Sequence, residues 1–164
     1  MLSTTLVACT SSPSLPLKLA SFAENEVSVS INLEQPSAGT YRVSATFTPP
    51  DGYHLYSKDI PVHGINGIGR PTLLELTPDS SMKARAGLVE NVPAENFYFE
   101  HNEFMVYPLG AVTLSLPVEI PQGTRWLSDE LKITFMACSS TQCKPPVEGK
   151  IISIRIPAAN MFDD

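Results

Sequence analysis

The chain has 164 residues, 43 % of them hydrophobic and only 17 % charged, with fifteen prolines and a net charge of −6. That length and hydrophobic share suit one globular domain, and an acidic balance without a basic patch excludes nucleic acid and anionic membrane surfaces as partners. No stretch approaches the roughly 18 to 20 consecutive apolar residues of a membrane span, and low charge with many prolines favours strands and turns over helices.

At the start, Leu6-Val7-Ala8-Cys9 resembles the lipobox of bacterial lipoproteins, which makes Cys9 a candidate for lipidation. A full signal peptide would need a cationic start and a longer apolar run, and here the first cation is Lys18. Residues 10–23 are rich in Ser and Pro without a period and read as a flexible tether. Residues 1–23 are therefore expected to be a leader and tether, 24–157 the folded domain and 158–164 a polar tail.

Alternation then begins. Val27, Val29, Ile31 and Leu33 share one side of an extended segment, and Tyr41, Val43, Ala45 and Phe47 share one side of the next, with a turn at residues 36–39 between them. Pro49-Pro50-Asp51-Gly52 is strong turn chemistry and leads into Tyr53-His54-Leu55-Tyr56, where alternation puts His54 and Tyr56 on one side. Gly64-Ile65-Asn66-Gly67-Ile68-Gly69 has the glycines of a phosphate loop but lacks the Lys-Ser/Thr and the helix that would follow, so it reads as a connection. A strand is expected over 72–77. Residues 82–107 are less regular and end in a dense aromatic run from Phe97 to Tyr107. Val112, Leu114, Leu116, Val118 and Ile120 give the clearest alternation; Leu131, Ile133, Phe135 and Ala137 give another, preceded by Trp126 and a polar stretch. Gly149 marks a turn, and Ile152, Ile154 and Ile156 form a last strand. Short strands at this spacing, without an amphipathic helix, predict an all-β, immunoglobulin-like antiparallel sandwich in a single domain.

The strand that ends at Ala137 delivers Cys138, and Cys143 follows with Lys144-Pro145-Pro146 behind it. Four intervening polar residues can bring the two cysteines within bonding distance. A loop this short stabilises a fold by only about 2 kcal/mol in the chain-entropy model, and a domain of this size can bury a core without a staple. The pair is thus either a redox-active disulfide or a passive staple of the ribbon. Met136, Cys138 and Cys143 are also soft ligands of the kind copper(I) accepts, but no His-rich or Met-rich run supports a metal, and no cofactor is expected. With no helix amino terminus nearby and Lys144 as the adjacent cation, the thiols should be weak nucleophiles. The pair should work mainly as a disulfide attacked by a partner's thiolate.

Taken together, Asp51-Gly52-Tyr53-His54-Leu55-Tyr56, the aromatic loop ending near Tyr107 and Met136-Ala137-Cys138-x4-Cys143-Lys144-Pro145-Pro146 resemble the amino-terminal domain of the DsbD family of bacterial thiol:disulfide interchange proteins. The resemblance implies an immunoglobulin-like fold in the periplasm. It also implies a relay of reducing equivalents from a membrane thiol-disulfide electron donor to thioredoxin-like proteins, including disulfide isomerases and cytochrome maturation proteins. Cys143 would form the mixed disulfide with partners and Cys138 would resolve it. His54 and Tyr56 match the aromatic pair beside the disulfide, His54 standing where a tyrosine is common, and Phe97 or Phe99 would be the cap, in a loop that lacks the family's Phe-Gly or Tyr-Gly. Such a chain would be a redox component rather than a small-molecule enzyme, with a separate protein as donor and membrane contact only through a lipid anchor. The competing expectation is a non-catalytic immunoglobulin-like lipoprotein, a binding module whose hairpin disulfide is structural.

Overall fold

The computed structural model describes residues 13–99 and 101–162; Cys9 and most of the expected leader lie outside them. Two antiparallel sheets face each other across one core. The larger sheet carries β1 (Leu17–Glu24), β2 (Val27–Ser37), β3 (Thr40–Thr48), β10 (Val112–Glu119) and β6 (Lys83–Ala84) in that order, with β7 (Val89–Glu90) also paired to β10. The smaller sheet runs β13 (Val147–Pro157), β11 (Trp126–Phe135), β5 (Leu73–Leu76). This is the expected all-β sandwich, and among the described residues the one helical turn is a 3₁₀ segment at Ala159–Met161.

The alternating positions fill the interior. Val27, Val29, Ile31 and Leu33 from β2, Val43, Ala45 and Phe47 from β3 and Val112 and Leu114 from β10 are all buried, and they meet Leu131, Ile133, Phe135 and Ile156 from the smaller sheet. Phe47 and Phe135 pack edge to face across the sandwich, with ring centroids 5.8 Å apart.

The structure corrects four expectations. The segment read as the end of the tether is β1, an edge strand joined to β2 through Asn25 and Glu26, both at positive φ, as a two-residue hairpin turn requires. Its period was hidden by an irregularity between Lys18 and Ala20, which leaves Leu17, Leu19, Ala20 and Phe22 partly buried in a broken rhythm. Trp126 and the polar residues after it belong to β11 rather than preceding it. Asp129 can face inward at 6 % exposure because its carboxylate accepts hydrogen bonds from the Ser81 amide (3.0 Å) and hydroxyl (2.6 Å). Gly149 marks no turn: it lies within β13 at φ +63°, where the register against β11 shifts between Ile133 and Phe135, a bulge. Finally, the segment read as a polar tail begins with buried Ala158 and Ala159, and the Phe162 ring packs at a tilt against Tyr41, centroids 5.4 Å apart.

A candidate redox site at one end of the sandwich

Beyond Phe135 the chain leaves the smaller sheet, and β12 (Ala137–Cys138) pairs instead with β4 (His54–Leu55), placing Ala137 opposite Leu55 and Cys138 opposite His54. On its other side Cys138 is bridged antiparallel to Cys143. The Ser139 amide donates to the Gln142 carbonyl and the Lys144 amide to the Ala137 carbonyl, each at 2.8 Å. This is the pattern in which the enclosed pair, here the two cysteines, exchanges no backbone bond and sits close. Their Cα atoms are 4.0 Å apart and their sulfurs are bonded. Ser140 and Thr141 make the turn. Neither is the glycine such a turn usually takes; the Ser139 hydroxyl holds it by accepting from the amides of Thr141 (3.3 Å) and Gln142 (3.2 Å).

The two sulfurs differ in surroundings. Cys138 is buried, 2 % exposed, whereas Cys143 is exposed. The Tyr56 hydroxyl donates to Cys138 Sγ at 3.2 Å. Tyr56 itself is held by its carbonyl, which accepts from the amide (3.2 Å) and hydroxyl (2.7 Å) of Thr72, and by Phe104 at 5.6 Å beneath its ring. Gly69, at φ +80°, lets the ring approach the backbone: a Cβ there would lie 2.9 Å from Tyr56 Cε1.

The aromatic run forms a hairpin of β8 (Glu95–Phe99) and β9 (Asn102–Val106). Alternation divides its faces. Phe97 and Phe99 line a cavity of about 170 Å³ together with His54, Tyr56 and the two cysteines, whereas Tyr98 is exposed and donates to Glu103 at 2.9 Å. Phe97 lies 4.9 Å from the His54 ring, and Phe99 is 37 % exposed at the cavity mouth. The expected set of Cys138, Cys143, His54, Tyr56, Phe97 and Phe99 is therefore brought together in one place.

Ile68 also lines this cavity, although sequence reading treated its loop as a plain connection. Ile65 and Ile68 bond to each other's backbone at 2.9 and 3.0 Å and pack against the cluster of Tyr56, Ile60, Phe104 and Val106. Arg70 fixes the loop by donating to the carbonyls of His63, Gly67 and Gly69 while pairing with Glu148, and Asn66 bonds to Asn102 near the hairpin tip at 2.7 Å.

Burial pushes the His54 imidazole below its ordinary pKa and the Tyr56 phenol above its own. Lys144, the cation beside Cys143, is committed elsewhere. Its ammonium bonds Glu26 at 2.6 Å, which raises its pKa, and lies 5.0 Å from the centre of the Tyr53 ring. A larger groove of about 800 Å³, passing Trp126 and Arg155, shares no residue with the disulfide cavity.

No known protein-family model matches the sequence, and no curated protein matches it. Similar solved structures include two N-terminal domains. One is the N-terminal domain of Neisseria meningitidis DsbD in the reduced form, at 17 % identity over 71 % of this chain and 76 % of that one, with a TM-score of 0.45. The other is the N-terminal periplasmic domain of ScsB from Proteus mirabilis, at 12 % identity over 90 % of this chain, with a TM-score of 0.53. This chain spans 56 % of the length of that ScsB domain. At such identities the likeness is one of architecture: the chain is an antiparallel β-sandwich of the immunoglobulin-like type, similar in fold to the N-terminal periplasmic domain of ScsB, with a disulfide at one end.

Proposed function

We propose that the chain is an extracytoplasmic thiol:disulfide exchange domain that relays reducing equivalents between a membrane electron donor and thioredoxin-like partners through Cys138 and Cys143. The reading rests on one observation, the unequal exposure of two bonded sulfurs, with Cys143 open to solvent and Cys138 buried against a hydroxyl donor. A partner thiolate attacks Cys143 Sγ, and the bonding pair leaves on Cys138 Sγ, where the Tyr56 hydroxyl strengthens its hydrogen bond as charge develops. Phe97 and Phe99 cover the bond from the hairpin side. Periplasmic residence and an anchor at Cys9 complete the proposal, and the likeness in fold to the N-terminal periplasmic domain of ScsB supports it.

Trapping tests it. Cys138→Ala should accumulate a mixed disulfide between Cys143 and a thioredoxin-like protein, and Cys143→Ala should accumulate none. If Cys138→Ala captures nothing under conditions where the partner's own disulfide is reactive, the bond is a staple and the chain a binding module.

A further inference from the structure

Three side chains stand in a row across the ribbon. His54 is paired directly with Cys138, and Cys138 directly with Cys143. Opposed residues of antiparallel strands project to the same face about 4.5–5.5 Å apart, so Cys138 has His54 on one flank and its disulfide partner on the other. His54 is only 6 % exposed, and its Nε2 is buried with no hydrogen-bond partner. Such an orphan is uncommon, since buried polar atoms are nearly always paired. It lines the cavity that holds both sulfurs.

We propose that His54 Nε2 is the proton acceptor for the Cys138 thiol, unpartnered in the disulfide form because its partner is the S–H that appears when the bond opens. The inference rests on the exchange function proposed above. In the mixed-disulfide state Cys138 carries S–H and Cys143 is bonded to the partner's sulfur. Cys138 Sγ attacks Cys143 Sγ as its proton passes to Nε2. The Cys138–Cys143 bond forms, the Cys143–partner bond breaks, and the partner leaves as a thiolate that takes its proton from the imidazolium or from water. Over both steps, formation of the mixed disulfide and its resolution, the chain is oxidised by two electrons and the partner's disulfide reduced by two. In reverse, an imidazolium returns the proton to Cys138 as it departs. Burial favours the neutral ring, and in its Nδ1–H tautomer the Nε2 lone pair is available to accept the proton. The other titratable groups lining the cavity are Tyr56, Cys138 and Cys143. Among the described residues no carboxylate or cation lines it, Lys144 being held by Glu26.

The test uses the reduced full chain and 5,5′-dithiobis(2-nitrobenzoate). A first thionitrobenzoate is released as exposed Cys143 attacks the reagent, and a second as Cys138 resolves the adduct. The ratio of second-phase to first-phase rate, followed from about pH 5.5 to 8.5 across the ordinary histidine range, should fall about tenfold or more in His54→Gln and His54→Phe, a threshold set below the roughly 10²–10⁴-fold that a positioned base contributes. Ratios within twofold of the unsubstituted chain throughout would overturn the role of His54 while leaving exchange intact. Absence of the first phase would overturn the exchange reading and this inference with it. A second measurement needs no variant: nitrogen chemical shifts of the His54 imidazole in the oxidised and reduced chain. A changed Nε2 shift and a higher titration point after reduction are expected; identical behaviour in both states would refute the proposal.

Discussion

Removing one oxygen atom tests the setting of the buried sulfur. Tyr56→Phe keeps a ring that is 3 % exposed and packed edge to face with Phe104 but deletes the hydroxyl that donates to Cys138 Sγ at 3.2 Å. A hydrogen bond to a charged group contributes about 1.5–3 kcal/mol, against about 0.5 for a weak neutral acceptor such as a disulfide sulfur. The hydroxyl therefore favours the released thiolate by about 1–2.5 kcal/mol. With roughly half of the charge developed at the transition state of exchange, about 0.5–1.2 kcal/mol of this is felt in the rate, a slowing of about two- to eightfold. The assay is reduction of the oxidised chain by excess dithiothreitol, quenched by alkylation and read by mass. Thermal unfolding of the same variant should change little, because no strong buried donor or acceptor loses its partner. An unchanged or faster reduction would refute the reasoning, since the hydroxyl would then contribute nothing to the departing sulfur.

Phe135→Ala empties the centre of the sandwich, where the ring is fully buried and 5.8 Å from Phe47; urea unfolding should show a loss of about 3–5 kcal/mol, and a loss under about 1 would mean the two sheets do not share that core. Gly69→Ala sets a Cβ against the Tyr56 ring at a positive φ, so a loss of about 1–3 kcal/mol with slower disulfide exchange is expected; unchanged values in both unfolding and exchange assays would contradict the packing. Acid should weaken the fold through His54. Its folded pKa lies below the unfolded one, so above about pH 6.5 both states are neutral and stability is complete, whereas below that the unfolded chain binds the extra proton and stability falls by at most about 1.4 kcal/mol per pH unit until the folded pKa is passed. Urea midpoints between about pH 7 and 5 should therefore fall more steeply for the unsubstituted chain than for His54→Gln, and parallel curves would remove His54 as the cause.

Strands that bury one face announce themselves, and those at the margins do not. Val112 to Val118 alternate without a fault, and the structure buries Val112, Leu114, Leu116 and Val118. Leu17 to Phe22 carry equally apolar residues, but one local irregularity shifts the rhythm by a position and hides the strand. Asp129 and Gly149 misled for a related reason. A buried carboxylate and a positive-φ glycine within strands depend on partners far along the chain, Ser81 and Thr134, whose hydroxyl accepts from the Gly149 amide at 2.9 Å. At the site, alternation put His54 and Tyr56 on one side and the spacing let Cys138 reach Cys143, but Phe97 and Phe99 joined them only through the resemblance to a known domain, because no local pattern says which strand will fold over the disulfide. Ile68 was missed because nothing local says that a glycine-rich loop will fold back over a tyrosine.

The apolar interior is divided in two. Tyr56, Ile60, Phe104, Val106 and Cys138 form a small cluster apart from the main one, fastened by backbone bonds such as Ser57 to Met105 at 2.9 Å. Cooperative units of this size open on their own at lower free energy than the whole domain. The disulfide end is therefore expected to open while the sandwich stays shut, with amides around Ser57 exchanging with deuterium well before those of β3 and β10.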